Sequence, residues 1–199
     1  AVHAGEAEDF YFGSIADELK KRGLKTLVVL RNHTSIAAST LESEWAADLA
    51  PRLVLPNLLS LGEEFSMRLR LLRERMLLKK LGRQANTGFK KRVLEAAANS
   101  ALSPGSIATL RFYLIVEKCE PSVMAVTYEG HAWERLAFSG ARAVHPDIRC
   151  IGYQHAVMFP RQHAIKQQLA PQYNPDVIVT AGEVTRDDLS AAIGLKSVK

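Results

Sequence analysis

Two apolar runs in this chain each end in a polar, ionisable cluster: Met124-Ala125-Val126-Thr127-Tyr128-Glu129-Gly130-His131 and Ile148-Arg149-Cys150-Ile151-Gly152-Tyr153-Gln154-His155. Short apolar runs of this kind, separated by a helical pattern, read as buried strands joined by a crossover and therefore parallel. In parallel α/β sheets the carboxyl edge is where ligands bind. The pattern predicts that Glu129, His131, Gln154 and His155 share one neighbourhood if the two strands are adjacent.

The rest of the chain supports the same class. Asp9 is placed to cap a helix through Phe10, Ile15, Leu19 and Lys20 that Gly23 ends, and Lys25 to Leu30 follows as a β-branched strand closed by Arg31 to Thr34. Ser43 to Leu49 reads as a short helix and Arg52 to Pro56 as a short strand. A helical stretch from Leu58 to Ala98 is split by Gly82 and the Asn86-Thr87-Gly88 cluster. Ser103-Pro104 opens a helix over Ile107 to Lys118, and Trp133 to Ala143 is the helix between the two diagnostic strands. Pro175 to Thr180 reads as a further strand, and Gly182 to Asp188 opens the last helix with Thr185 as its cap. This succession predicts one α/β domain over residues 1–199, built on a Rossmann-like doubly wound parallel sheet, with a basic helical segment at about 58–98. No internal repeat and neither glycine-rich phosphate loop occurs, which argues against a dinucleotide dehydrogenase or a P-loop NTPase.

Composition narrows the setting. At 199 residues with 47% hydrophobic and 24% charged, the chain can bury one full-sized core. No apolar stretch approaches the roughly 18 to 20 residues that span a bilayer, and Ala1 to Asp9 has none of the regions of a signal peptide. The two cysteines, Cys119 and Cys150, lack metal or redox spacing and read as small buried hydrophobes. The expected location is the cytoplasm, with a peripheral position at the inner membrane as the variant that the charge distribution suggests. The ending, Gly194 to Lys199, reads as the entry to another strand, so a longer polypeptide is expected.

That distribution is uneven. Glu63 to Arg92 holds ten basic residues against three acidic ones, a local +7 within a net +5, so the remainder is near −2. The apolar set Leu69, Leu72, Met76, Leu77 and Leu81 is expected to pack on the domain. The basic side, with Arg68, Arg70, Arg73, Arg75, Lys79 and Lys80, would then face an anionic membrane surface or a phosphorylated acceptor. No aromatic residue lies between Met67 and Gln84, so a base-stacking platform is missing and nucleic acid is not the expected partner.

Several groups have the chemistry of a site. Glu129 or His155, at strand ends, can take a proton from a bound hydroxyl. The competing structural roles are a helix cap for Glu129, a solvated loop position for His131 and a hydrogen-bonded structural position for His155. Arg161 and His163 in the next loop are candidate anion donors. Gly182-Glu183 before a helix start offers backbone N–H groups to an anion or hydroxyl-rich ligand. His131, His155 and His163 have no metal-ligand spacing, so neither a metal nor another cofactor is expected.

Three segments together resemble a known family: Thr127 to Arg135, Gly152 to Ala156, and Pro175 to Glu183. They look like bacterial surface-carbohydrate biosynthesis proteins, of O-antigen and capsule type, with a GT-B glycosyltransferase fold. The Gly152-Tyr153-Gln154-His155 segment is also similar to the strand-end histidine of CDP-glycerol glycerophosphotransferases, although Ala156 stands where a glycine is commoner. The resemblance runs from about Phe10 to Leu195. It implies the amino-terminal, acceptor-side half of a two-domain enzyme, with the nucleotide-sugar donor held by a second domain beyond Lys199 and the acceptor a glycan or lipid-linked species. It further implies metal-independent inverting transfer, with His155 or Glu129 as the base and Gln154, His131 and Arg161 positioning acceptor or phosphate; Glu183 joins them as a substrate-binding candidate.

Two other classes compete with this expectation. One is a non-catalytic α/β module that docks on an anionic membrane or protein through Arg68 to Arg83. The other is a GT-B-like epimerase or hydrolase acting on a nucleotide sugar.

Overall fold

In the computed structural model, residues 11–32, 34–43, 50–159 and 164–191 are described. Asp9, Phe10, residues 44–49, Arg161, His163 and the expected strand entry after Gly194 lie outside them. Contacts divide the chain into two compact units, Ala1–Glu64 and Phe65–Lys199. Each is a mixture of helices with a small parallel sheet.

In the first unit, α1 (Ile15–Lys21) leads through Gly23, whose φ of 79° favours glycine, to β1 (Val28–Arg31). β1 pairs in parallel with β2 (Arg52–Leu55), Val28 opposite Arg52 and Arg31 opposite Leu55. Between them lies α2 (Ala38–Ser43), which ends where the short helix was expected to begin. Its Leu41 packs on Val54 with Leu30 and Ala38 around them. Glu42 ties the helix to the strand by accepting from the Val54 N–H at 2.6 Å and from the Asn57 side chain.

The expected long basic segment is two helices, α3 (Leu61–Arg83) and α4 (Gly88–Ser100), parted at Gln84–Thr87. Thr87 caps α4 by accepting from the Lys90 N–H. The burial of α3 differs from the expectation. Met67, Leu71 and Gly82 are buried, whereas Leu69, Leu72, Met76, Leu77 and Leu81 are exposed. Apolar residues occur on more than one side of this helix, so periodicity did not single out the packing side.

The second unit continues with α5 (Pro104–Cys119), started by Ser103 accepting from the Ser106 N–H. Then come β3 (Val123–Thr127), α6 (Ala132–Val144), β4 (Arg149–Gln154), a 3-10 turn at Pro171–Tyr173, β5 (Val177–Thr180) and α7 (Glu183–Ser190). The sheet order is β3-β4-β5, all parallel, with Thr127 opposite Tyr153 and Gln154 opposite Thr180. β3 and β4 are therefore adjacent, which meets the condition for their polar ends to share an edge.

One face of this sheet carries the core: Met124 and Val126, Cys150, and Ile178 pack with Val116 of α5, Phe138 and Ala141 of α6, and Leu189 of α7. Gly152 lies on that face under Tyr128, whose ring a Cβ would meet at 2.9 Å. Only glycine admits so close an approach. The other face is more open, with Val123, Ala125 and Val179 exposed. Cys150 is in the core, as expected, but Cys119, at the end of α5, is exposed.

Candidate functional site

The carboxyl ends of β3, β4 and β5 open on one edge of the three-stranded sheet. The turn after β3 is held from beneath. Glu134, in the first turn of α6 and 2% exposed, accepts from the backbone N–H groups of Glu129 at 3.0 Å and His131 at 2.8 Å. Burial pushes its carboxyl above the usual carboxylate range, while the backbone N–H groups of residues 129–131 pull it back. The cap of α6 is thus the work of Glu134, not of Glu129, and His131 occupies the N-cap position.

Gly130 takes φ 83°, and a Cβ there would stand 2.4 Å from the Ala164 backbone. Arg135, also buried, donates to the carbonyls of Gly130 (3.2 Å), Ala164 (2.6 Å) and Gln167 (2.8 Å) and to Asn174 Oδ1 (2.8 Å). Its guanidinium carbon lies 5.6 Å from the Tyr128 ring centre. One turn pair further along α6, Arg142 donates to the carbonyls of Gln172 and Asn174 and pairs with Asp176 at 2.8 Å. Two arginines of one helix thereby fasten the 164–176 segment to α6.

Tyr128, Gly130, Glu134 and Arg135 are consequently the scaffold of the first polar cluster, and the groups it presents are Glu129 and His131. Their side chains meet at 3.1 Å, Glu129 Oε2 to His131 Nε2, and are 27% and 57% exposed. A carboxylate on one imidazole nitrogen fixes ring orientation and leaves Nδ1 for a proton donor or acceptor. The pair can relay a proton from a bound hydroxyl.

At the end of β4, Gln154 is buried, 1% exposed; its Nε2 donates to the Ala156 carbonyl, and its Oε1 has no partner among the described residues. Gln154 closes β4 at the same edge, opposite Thr180, with its side chain buried rather than exposed. His155 is half-buried, its ring 6.0 Å from that of Tyr153. Glu129, in the bend after β3, and His155, just past β4, each follow the carboxyl end of one of two paired strands.

At the end of β5, Gly182 rather than Thr185 is the N-cap of α7, in extended conformation at φ −173°. Glu183 is the first residue of α7, largely exposed, with Arg186 Nη1 at 3.8 Å. Of the expected site residues, Glu129, His131, His155 and Glu183 thus lie at one sheet edge, Gln154 is buried there, and Arg161 is outside the described residues. The roles of Glu134 and Arg135 were not foreseen. The only signal for them was their place in the first turn of a helix after a glycine.

An open depression of ≈ 340 Å³ lies at the opposite, amino-terminal edge, lined by Arg142, Pro146, Asp147, Ile148, Arg149 and Asp176. Two of its charged groups, Arg142 and Asp176, are committed to each other and to the backbone: Asp176 also accepts from the Cys150 N–H at 2.6 Å. Among the described residues no three His, Cys, Asp or Glu side chains converge to hold a metal ion. Among them, too, no helix is long and apolar enough to cross a membrane. Compared with models of known protein families, with curated proteins and with solved structures, the chain matches none.

Proposed function

We propose that this chain is the acceptor-side domain of a GT-B glycosyltransferase of bacterial surface-polysaccharide assembly, its sheet being the Rossmann-like, doubly wound half of such an enzyme. The observation that carries the reading is that Glu129, paired with His131, His155 and Glu183 each follow the carboxyl end of one of three adjacent parallel strands, the edge where α/β folds hold ligands.

The chemistry asked of this edge is proton removal. The oxygen of an acceptor hydroxyl attacks the anomeric carbon of a nucleotide sugar, the bond from that carbon to the phosphate oxygen breaks, and the hydroxyl proton passes to a base. Glu129, directly or through His131, and His155 are the groups within this edge that can take it. Glu183 suits a sugar hydroxyl, since an exposed carboxylate accepts hydrogen bonds from polyols. The nucleotide of the donor is assigned to a second domain, which neutralises the departing phosphate.

Calorimetry of this chain with polysaccharide fragments, nucleotides and nucleotide sugars tests the reading. Glycan binding without nucleotide, weakened about tenfold (~1.4 kcal/mol) by Glu129→Ala or His155→Ala, is the expected result. Tight nucleotide binding with no glycan binding overturns the acceptor-side assignment.

A further inference from the structure

Helix α3 has two apolar sides, and only one is used. Met67 and Leu71 are each 4% exposed. At about 100° per residue, Phe65, Leu69, Leu72 and Met76 fall within about 60° of one another, about 150° round the helix from that side. They are 70%, 38%, 42% and 63% exposed. Arg68 and Lys79 border this stripe on one flank, Arg73 and Lys80 on the other, and Arg83 continues it two turns beyond Met76. All five are exposed.

Two of the cations first read as facing a membrane are engaged differently. Arg70 is bonded to Glu74 at 3.3 Å and lies over the Tyr113 ring, and Arg75 is half-buried. The remaining four, joined by Arg83, surround apolar side chains instead of standing opposite them. In α4, Phe89 and Val93 repeat the pattern, 80% and 50% exposed one turn apart among Lys90, Lys91 and Arg92.

We propose that the Phe65–Leu69–Leu72–Met76 face of α3 docks on an anionic lipid bilayer, the apolar side chains entering the headgroup boundary and Arg68, Arg73, Lys79, Lys80 and Arg83 meeting lipid phosphates. Charge complementarity selects the partner: a cationic rim repels a second copy of itself. Large apolar side chains, aliphatic except for Phe65, suit acyl chains, whereas a polyphosphate strand leaves them uncovered. Long basic side chains lie back along the helix and reach the headgroups while the stripe is immersed. The inference is independent of the sugar-transfer reading, since it rests on a different helix and needs neither donor nor acceptor.

The test is co-sedimentation of the chain with vesicles of phosphatidylcholine and phosphatidylglycerol, and of phosphatidylcholine alone, with helicity checked by circular dichroism. Expected is salt-sensitive binding to the anionic vesicles only. Lys79→Gln, Lys80→Gln and Arg83→Gln together should weaken it about 100-fold at low salt, at ~5-fold per cation, and Leu72→Ser with Met76→Ser about tenfold or more. No binding at low salt, or equal binding to both vesicles, overturns the proposal. Indifference to the serine variants overturns the insertion of the apolar stripe. A dimer dissolved by Leu72→Ser without vesicle binding assigns the face to a second copy. Retention of an oligonucleotide without vesicle binding assigns it to nucleic acid.

Discussion

Arg135 and Asn174, 39 residues apart, meet through a 2.8 Å bond from Nη1 to Oδ1, and Asn174 in turn holds the Leu169 backbone, accepting from its N–H at 3.2 Å and donating to its carbonyl at 2.8 Å. The guanidinium is thus the point at which the Glu129-Gly130-His131 turn, α6 and the 164–174 segment are joined. Its planar, multiply donating shape suits four acceptors in a way that an ammonium does not.

Replacing Arg135 by Met should therefore remove the guanidinium from four acceptors, of which, among the described residues, only Asn174 Oδ1 and the Ala164 carbonyl keep another N–H, from Leu169 and Gln167, and Arg135→Lys should recover only part of the loss. The expected cost is on the order of 2–4 kcal/mol, read as a lowered midpoint in urea unfolding. A midpoint within experimental error of the parent would show that the clamp adds nothing.

Gly130→Ala combines a left-handed backbone with a Cβ placed against Ala164, and should destabilise by about 2 kcal/mol or more. At Gly88, the first residue of α4, nothing lies within 4 Å of the added Cβ. Gly88→Ala is expected to be neutral or to stabilise by up to about 1 kcal/mol. Thermal unfolding of the two variants side by side reads the contrast.

The thiols should separate cleanly. Burial, with Asp176 nearby, pushes the Cys150 thiol up to about 11 against the opposing effect of Arg142, so it stays protonated and enclosed near neutrality. Cys119 is exposed. A thiol reagent at neutral pH should modify Cys119 in the native protein and reach Cys150 only after denaturant is added; mass mapping of the labelled peptides decides.

Stability should fall at alkaline pH. Burial pushes the Tyr128 hydroxyl up to about 12, with Arg135 acting in the opposite direction. Tyr128 and Cys150 are both harder to ionise folded than unfolded, so the folded state holds more protons. Their contribution is complete below the unfolded values, 9.0 for Cys150 and 10.0 for Tyr128. It is lost as the pH rises through the folded ones. Together the loss between about pH 9 and pH 12 is on the order of 2–5 kcal/mol. Urea midpoints across that window should decline less steeply in Tyr128→Phe.

Glu129→Gln and His131→Ala should leave thermal stability almost unchanged, because a solvent-accessible carboxylate–imidazole contact contributes at most about 1 kcal/mol. Any loss of ligand binding in these variants would then be a property of the site. A large drop in melting temperature would instead make the pair part of the scaffold.

Local chemistry settled the elements of this protein. The β-branched runs at Val28 and Val123, the glycines at 23 and 130, and the caps at Thr87 and Ser103 act on their immediate neighbours, and their effects are readable residue by residue. The parallel direction of β3 and β4 followed from the helix between them, which has to carry the chain back to the same edge of the sheet, whereas their direct pairing is seen only in the fold. Adjacency in the chain did not reveal which polar residue is structural. Glu129 and Glu134 both stand near the start of α6, yet only the packing of that helix buries Glu134 beneath the turn and leaves Glu129 outside with His131. The same holds for α3, where Leu69, Leu72 and Met76 are as apolar as Met67 and Leu71, and for the end of β4, where alternation buries Gln154 and leaves its neighbour His155 half-open. Burial is a relation between distant segments: the hydrophobic effect rewards whichever apolar side finds a partner, and composition alone is the same on both sides of the helix.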